Sequence, residues 1–567
     1  MNVHMKRITD VKITNRIRNL FIIAAPALFI LVLLRFFHFR YITNDDTTMI
    51  SILSGSYTGD PDGHAVFIHY PLSLIIAFLY KCTPQISWYM VFFLCVYWLC
   101  MSLSLRSLSV RFRNHECVFA ALYFLLVGSF WGRAVSRFTF TTCAAFVSAS
   151  AVLCYALLPA EDDHNFKKML PVYTMFFISF CIRRQYLYSG LLLLGILWLY
   201  KHLETMWKDR RAWVLPLAAV CLIAAAKLCH MAAYADPQWK TYQKYDDIRS
   251  EVFDYQMFAD YLNDKEFYEY IGIDSKKLMP LLNYRYGISQ QDPMEVIVRI
   301  YDYAKAHPKR AKIRPGEIVS GIRKSLFAPG QNETAQMQIV LLLSAALFVI
   351  LLIPGWKRTS RKDRLLFVLL LAANMALWVG IHMRGRVNER ALESLFVYSI
   401  LSFWICIGIL AGRGRFRPAA GLETVMAGGA VIVLGLALVA QHEMLDNNLI
   451  RTHTPYNAYA SMHPDDIFIR DTFGYGPDAA EDTMVNCIGT GGWDFYSPIY
   501  WKKMETLGIP EGITRDTLLK DNVYLITRPE FNLREVLGLH KEETLRYRIE
   551  FEAMDVRVYK IEELPAS

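Results

Sequence analysis

The stretch RIRNLFIIAAPALFILVLLRFF, residues 16–37, joins a basic segment to a long apolar run. An apolar run of about 20 residues is long enough to cross the hydrocarbon core of a bilayer as a helix. No small-residue cleavage site follows the run, so we expect the segment to stay in the protein as an anchor and not to be removed as a signal peptide. The stretch therefore predicts a membrane protein.

The composition predicts several such helices. Of the 567 residues, 54% are hydrophobic and 14% are aromatic, and apolar runs recur along the chain. Most cysteines lie in or beside these runs, without the spacing of a disulfide framework or a zinc site. The formal charge of +9 comes mostly from short segments between the runs, where it indicates orientation in the membrane and not a nucleic-acid partner. We expect a polytopic α-helical protein surrounded by membrane lipids.

Reading for runs of spanning length gives about eleven spans. Their approximate positions are 20–38, 87–105, 117–132, 138–158, 169–183, 186–201, 213–234, 336–354, 365–381, 391–411 and 422–440. The run at 65–81 is not counted, because a span there would turn the basic segment at 106–113 to the side opposite the basic N-terminus, against the positive-inside rule. We expect it to be an amphipathic or re-entrant helix in the outer interface.

Basic residues then orient the chain. The basic segments at 6–18, 106–113, 167–168, 208–211, 357–364 and 412–417 all fall on one side, which the positive-inside rule makes cytoplasmic. The N-terminus is thus predicted to be cytoplasmic and the C-terminus extracytoplasmic, in a multi-pass plasma membrane protein. The transmembrane domain would cover 1–440, with external loops at 40–86 and 235–335, and a soluble domain would follow at 441–567.

The two larger external segments have different patterns. Residues 235–335 predict helices rich in tyrosine, which would either form a lid on the membrane surface or pack onto the helix bundle. The tail contains strand-like runs such as DIFIR and NVYLITR together with short helical stretches, and it predicts a small α/β domain. The segment GTGGWDFYSP at 489–498 is interpreted as a turn, in which Trp493 and Tyr496 would either belong to the core or contact a glycan.

Three short external turns carry arginines where few basic residues are expected. The residues are Arg133 and Arg137, Arg183 and Arg184, and Arg384, Arg386 and Arg390. A guanidinium group at the depth of the outer leaflet is costly unless it is paired, and it can grip phosphate oxygens with two N–H groups. The alternative is that these side chains reach lipid headgroups or pair with Glu389 and Glu393. Three such turns on one face favour a shared anionic ligand, namely a lipid-linked phosphate or pyrophosphate.

Two adjacent carboxylates lie on the same face, in the segment TNDDTTM. Asp45 or Asp46 could act as a general base beside the phosphate-binding arginines. The alternative is that Asn44 and Asp45 only cap a short helix. The nearby GDPDGH segment, with Asp60 and Asp62, is interpreted as a turn, with a cation site as second choice. No cofactor is predicted, and a divalent metal ion has no support in the sequence.

The first loop is also the basis of a family resemblance. An acidic first external loop, followed by the segment YPLSLIIAFLYK and a span ending in basic residues, resembles the integral-membrane glycosyltransferases of the GT-C superfamily. Its members of this topology include protein O-mannosyltransferases and lipid A aminoarabinose transferases. The resemblance covers about 1–440 and is most evident in the first hundred residues and in RGRVNER. Two segments depart from the family pattern, since HYPL replaces a KPPL-like segment and Asn-Asp-Asp replaces Asp-Glu or Glu-Asp.

The resemblance implies a function. Asp45, or secondarily Asp46, would correspond to the acidic residue of the family's catalytic motif, and the external arginines would hold the donor phosphate. Further candidates for the substrate site are Tyr57, His64 and His69. The predicted activity is transfer of a sugar from a polyprenyl-phosphate or polyprenyl-pyrophosphate donor to a cell-envelope glycan, lipid or protein. The alternatives are a lipid or glycan transporter or flippase, and a non-catalytic envelope scaffold.

Overall fold

The computed structural model describes residues 2–37, 40–41, 44–111, 116–255, 258, 261–288, 292–307, 314–327, 335–385, 387–412, 431, 435, 455–471, 486–553 and 556–565. This part of the chain is mostly helical. The first helices are α1 (Asn2–Phe36), α2 (Asn44–Ser54), α3 (Tyr70–Cys82), α4 (Trp88–Arg111), α5 (Glu116–Ser136), α6 (Phe140–Leu157), α7 (Phe166–Ile182), α8 (Arg184–His202) and α9 (Val214–Ala233). The next are α10 (Pro237–Asp254), α11 (Lys265–Tyr270), α12 (Ser275–Leu282), α13 (Pro293–Ala306), α14 (Pro315–Phe327), α15 (Ala335–Gly355), α16 (Arg361–Met383) and α17 (Glu389–Gly412).

Within the described residues, seven helices are long and apolar enough to cross a membrane, namely α1, α4, α6, α9, α15, α16 and α17. Three further predicted spans coincide with α5, α7 and α8, which are shorter or more polar. The last predicted span, 422–440, lies almost entirely outside the described residues. The prediction of a polytopic helical membrane protein is confirmed.

Helix α6 lies at the centre of the bundle. All of its residues from Phe140 to Leu157 are buried, and it packs against α4, α7, α8 and α17. Its sequence is rich in Ala, Ser, Thr and Cys, and such small side chains let neighbouring helices approach closely within a membrane. By contrast, α1 and α9 bury only 28% and 22% of their apolar windows, as expected for helices at the lipid-facing edge.

The first loop contains two short helices. Pro71 lies in the first turn of α3, where a missing backbone N–H costs nothing. The 13 residues of α3 extend about 20 Å, which is less than the ~30 Å of a bilayer core. The prediction of a short helix at 65–81 instead of a span therefore agrees with the structure. A two-residue strand ahead of α2, β1 (Arg40–Tyr41), pairs in parallel with a two-residue strand that follows α5, β2 (Arg137–Phe138). This pairing joins the start of the loop to the bundle.

Helices α10 to α14 follow α9. Two of them begin at Asp-Pro pairs, in which Asp236 and Asp292 accept backbone N–H groups as N-caps and the prolines fill the first turn. Many of the aromatic side chains predicted here face inward, and Trp239, Tyr242 and Tyr245 are buried. Trp239 stacks on a residue of the first loop, and Tyr242 and Tyr245 contact residues of the C-terminal part.

The C-terminal part forms a five-stranded mixed sheet with order β4-β3-β5-β7-β6. Its strands are β3 (Ile467–Arg470), β4 (Cys487–Gly489), β5 (Val523–Thr527), β6 (Arg546–Ala553) and β7 (Val556–Glu563), and its helices are α18 (Pro455–Met462), α19 (Pro498–Thr506), α20 (Arg515–Leu519) and α21 (Leu533–Val536). Strands β3, β4 and β5 run parallel, and β7 is antiparallel to β5 and β6. Alternation along β3 turns Ile467 and Ile469 toward the main core and Phe468 toward a small second core. The predicted α/β character of this region is confirmed.

The sheet is joined to the helical loop before α13 at the carboxyl ends of its parallel strands. The Arg285 guanidinium donates two hydrogen bonds, of 2.9 and 3.0 Å, to the buried Asp471 carboxylate. The Gly287 N–H donates to the Thr490 carbonyl at 3.2 Å. Gly491 packs so closely that an added Cβ would lie 2.1 Å from the Tyr284 carbonyl oxygen. These contacts hold the C-terminal domain against the helical segment.

We expect Gly491→Ala to destabilise this junction, because the Tyr284 oxygen that the new methyl group meets belongs to the backbone and cannot rotate away. Overpacking of this kind costs about 1–3 kcal/mol. The measurement is the unfolding temperature of the full chain in detergent. Gly316→Ala is the matched control, since nothing lies within 4 Å of its added Cβ. Equal unfolding temperatures for the two variants would contradict the prediction.

Candidate functional site

The adjacent carboxylates Asp45 and Asp46 lie in the first turn of α2 but have different surroundings. Asp46 is fully buried. Its Oδ1 accepts a hydrogen bond from the Tyr89 hydroxyl at 2.7 Å and one from the Phe140 N–H at 3.3 Å. Asp46 therefore joins α2 to α4 and to the beginning of α6.

Asp45 is the more accessible of the two carboxylates. Its side chain is 18% exposed, and its Oδ2 forms an ion pair of 2.8 Å with Nη1 of Arg390. Arg390 lies in the first turn of α17 and not in the preceding turn. The pair fixes one side of the Asp45 carboxylate while part of it stays open.

Two of the predicted phosphate-binding arginines are paired inside the protein. Nη2 of Arg133 lies 2.7 Å from Glu389 Oε1, and its Nε lies 3.7 Å from Glu393 Oε1. Arg137 Nη2 lies 3.5 Å from the same Glu389 oxygen. Glu393 also accepts a hydrogen bond from the Thr142 hydroxyl at 2.6 Å. The pairing alternative considered for these arginines therefore describes Arg133 and Arg137.

In the turn between α7 and α8, an arginine side chain contacts two aromatic rings. The Arg183 guanidinium carbon lies 5.0 Å from the Phe140 ring centroid and 5.5 Å from that of Phe67. Arg184, the first residue of α8, is exposed. Because Phe140 also donates its N–H to Asp46, one residue links the aspartate pair to the Arg183 side chain.

An apolar groove begins beside this turn. It is a narrow groove that lies between α7, α8 and α9. Its lining residues are Tyr173, Phe176, Phe177, Phe180, Leu187, Leu191, Ala219, Leu222 and Ile223. Phe180 lies in the last turn of α7 and Leu187 in the first turn of α8. The two arginines of the turn thus lie at one end of a groove lined by hydrocarbon.

His69 lies beside the same turn. Its backbone N–H donates to the Cys181 carbonyl at 2.7 Å, and its ring stacks on Phe180 at 4.4 Å. Burial, and after it the nearby His230 and Arg184, lower the pKa of His69 to about 3. Its buried Nδ1 has no hydrogen-bond partner among the described residues. His69 is therefore neutral at physiological pH and lies next to the arginine turn.

The other two substrate-site candidates have structural partners. His64 Nδ1 lies 2.6 Å from Asp62 Oδ1, and its ring stacks on Trp239 at 4.9 Å. Tyr57 is buried and donates to Asp494 of the C-terminal domain at 2.5 Å. His64 connects the first loop to α10, and Tyr57 connects it to the C-terminal domain. Neither side chain is adjacent to Asp45.

Of the remaining arginines, Arg384 is exposed at the end of α16, and Arg386 lies outside the described residues. The second-choice cation site has other contacts, since Asp60 lies 3.5 Å from Lys81 and Asp62 contacts His64. Burial raises the pKa of Asp62, but the hydrogen bonds and charge of His64, together with the charge of Lys502, outweigh burial, and the net pKa is lowered. Across the described part of the chain, no group of three or more His, Cys, Asp or Glu side chains is arranged to hold a metal ion.

Three residues around the site were not expected from the sequence. Phe67 and Phe140 support Arg183, and Tyr89 holds Asp46. Phe140 follows Arg137 closely in sequence, but nothing local marks it as different from the other phenylalanines of the spans. By contrast, Glu389 and Glu393 carried a visible signal, because two acidic residues four positions apart in an apolar helix require partners.

The sequence matches no protein-family model and no curated protein. Two solved structures are similar to this chain, both crystal structures of ArnT from Cupriavidus metallidurans. The structure bound to undecaprenyl phosphate is 12% identical, with 97% of this chain and 99% of that chain covered and a TM-score of 0.39. The apo structure is 12% identical, with 95% and 98% covered and a TM-score of 0.41.

We expect Arg133→Met to destabilise the protein more than Arg137→Met. Glu393 and Arg133 have side chains that are 1% and 2% exposed, and removing one partner of a buried ion pair costs about 3–5 kcal/mol because the other charge remains buried. Arg137 is more exposed and its contact with Glu389 is longer, so its loss is smaller. Unfolding temperatures in detergent provide the comparison, and equal losses would contradict the assignment of Arg133 as the buried partner.

Proposed function

We propose that this protein is a membrane glycosyltransferase that transfers a sugar from a polyprenyl-phosphate or polyprenyl-pyrophosphate donor to a cell-envelope acceptor. One observation carries the proposal. The partly exposed Asp45 carboxylate adjoins Asp46, which is hydrogen-bonded to the Phe140 N–H, and the Phe140 ring contacts the Arg183 guanidinium. Arg183 belongs to the turn between α7 and α8, and the residues on either side of that turn line an apolar groove. These contacts support a site that combines a general base, a cationic group and a surface for hydrocarbon.

The groove and the arginine turn support an amphiphilic donor. A prenyl chain can occupy a groove lined by Phe and Leu side chains without leaving a polar group unsatisfied. A phosphate attached to the chain would then lie beside Arg183 and Arg184, whose guanidinium groups bind phosphate oxygens in a two-pronged geometry. The neutral His69, with a buried nitrogen lacking a partner among the described residues, would add a hydrogen bond on the same side.

The proposed reaction needs a base and a stabilised leaving group. Asp45 takes the proton of the acceptor hydroxyl while the acceptor oxygen forms a bond to the anomeric carbon of the sugar. The bond from that carbon to the phosphate oxygen breaks, and the electron pair leaves with the lipid phosphate. Arg183 and Arg184 stabilise the negative charge that this oxygen gains. Arg390 holds the Asp45 carboxylate in place through its 2.8 Å contact.

Contacts among the three predicted external segments support the proposed orientation. The first loop reaches the C-terminal domain through Tyr57 and Asp494. Helix α10 reaches it through Tyr242, whose hydroxyl donates to the Trp493 carbonyl at 2.5 Å. All three segments therefore lie on one side of the spans, and we propose that this is the extracytoplasmic side, with the N-terminus in the cytoplasm.

We expect Asp45→Asn to lower sugar transfer by about 10²–10⁴-fold, the usual contribution of a general base, while the protein still folds and binds lipid. Asp46→Asn is the matched control, because an amide oxygen can accept the same hydrogen bonds from Tyr89 and Phe140. The assay is mass spectrometry of cell-envelope polymers from a deletion strain that expresses each variant. Wild-type glycan in the Asp45→Asn strain, or its loss only with Asp46→Asn, would contradict the role of Asp45.

We also expect Arg183→Gln to weaken binding of undecaprenyl phosphate by about tenfold, since hydrogen bonds between charged groups are worth about 1.5–3 kcal/mol. Native mass spectrometry of the purified protein in detergent measures the bound fraction. Arg299→Gln is the control, because Arg299 is an exposed residue of α13 that pairs with Glu295. Transport of the lipid by wild-type protein in proteoliposomes, without glycosidic bond formation, would favour a flippase instead.

A further inference from the structure

Residues 491–497 of the C-terminal domain, GGWDFYS, form a loop that reaches the membrane domain. We call this segment the 491–497 loop. The Trp493 ring lies 4.8 Å from the Phe67 ring, centroid to centroid, at a tilt of 58°. Trp493 is buried, whereas Phe67 in the first external loop is half-buried. A residue of the soluble domain thus packs directly on a residue that supports Arg183.

Several hydrogen bonds fix the position of the 491–497 loop. The Tyr57 hydroxyl donates to Asp494 Oδ2, and the Tyr242 hydroxyl donates to the Trp493 carbonyl, both at 2.5 Å. The Tyr496 hydroxyl donates to Asp292 at 3.1 Å. Burial raises the pKa of the Asp494 carboxyl group, and the hydrogen bond from Tyr57 opposes this shift. The loop is held by the first external loop, by α10 and by the residue before α13.

The backbone of the 491–497 loop is constrained as well. Tyr496 has a φ of 65° and Gly492 a φ of 150°. A positive φ is costly for a residue with a side chain and persists only where surrounding contacts determine it. The loop therefore has one defined shape, which presents Trp493 to Phe67.

Phe67 transmits this contact to the proposed phosphate site. Its ring contacts Trp493 on the side of the soluble domain, and the Arg183 guanidinium carbon lies 5.5 Å from its centroid. Phe67 also lies 6.2 Å from Phe140, the second ring under Arg183, in a stacked arrangement. A guanidinium group is attracted to an aromatic face, so the position of the Phe67 ring affects the position of Arg183.

We propose that Trp493 is a positioning residue of the phosphate site: it fixes the Phe67 ring, and through that ring it orients Arg183 toward the phosphate of the lipid-linked donor. The inference rests on the proposed function and adds the C-terminal domain to the donor site. The soluble domain then takes part in binding the donor headgroup, in addition to any contact with the acceptor.

The test measures binding of undecaprenyl phosphate and of undecaprenol to the full-length protein in detergent. Trp493→Ala should weaken binding of the phosphate about fivefold, the scale of one cation–π contact, and leave binding of the uncharged alcohol unchanged. Trp493→Phe should keep phosphate binding within about twofold of wild type, because the aromatic contact remains. Trp207→Ala is the control, since Trp207 is 82% exposed and lies outside the C-terminal domain.

A double-mutant cycle separates positioning from a general effect on the fold. If Trp493 acts through Arg183, Trp493→Ala has no further effect in the Arg183→Gln background. Phe67→Leu tests the same contact from the membrane domain if Trp493→Ala does not fold. Additive effects of the two substitutions, or equal weakening for phosphate and alcohol, would overturn the inference and leave the proposed function intact. Failure of wild-type protein to bind undecaprenyl phosphate would overturn the proposed function and, with it, this inference.

Discussion

Three charged residues at the beginning of α17 form the ion pairs on which the arrangement of the neighbouring helices depends. Glu389 contacts Arg133 and Arg137, Arg390 contacts Asp45, and Glu393 contacts Arg133 and Thr142. A charge at the end of a spanning helix has little water to solvate it, so each must find a partner inside the protein. One and a half turns of α17 thereby join α2, α5, β2 and α6. The position of Asp45 follows from this pairing, because its ion-pair partner is itself fixed by its neighbours.

The arginines of the site are stabilised in two different ways. Arg133 and Arg390 are held by carboxylates, and their charges are compensated within the protein. Arg183 lies over the rings of Phe67 and Phe140. The donors of a guanidinium group lie in its plane, whereas an aromatic ring contacts its face, so aromatic support and hydrogen bonding to an oxyanion do not compete. The aromatic contacts of Arg183 are therefore compatible with the phosphate binding that we propose for the turn between α7 and α8.

Much of the fold could be predicted from the sequence, because apolar length and basic segments act locally. Ten of the eleven predicted spans coincide with helices, and the short helix at 65–81 was distinguished from a span by the charge of the segment that follows it. The strands of the C-terminal domain were visible from alternation, except β4, which has only three residues. The site was harder to predict. Seven arginines lie in predicted external turns, against the positive-inside rule. Only the three-dimensional structure shows that one of them, Arg133, forms a hydrogen bond with Glu389, 256 residues later in the sequence.

The same limit explains why the contact between Trp493 and Phe67 could not be predicted from the sequence. Trp493 lies in a glycine-rich turn, and its sequence neighbours give no sign that it packs on a residue more than four hundred positions earlier. Contacts between such distant segments carry a large entropic cost, because the entropy lost on closing a loop increases with the length of the loop. They persist only where several act together, as Tyr57, Tyr242 and Arg285 do at this junction. Since Phe67 contacts Trp493 of that junction and also lies under Arg183, we expect a change in the docking of the C-terminal domain to affect the Arg183 side chain.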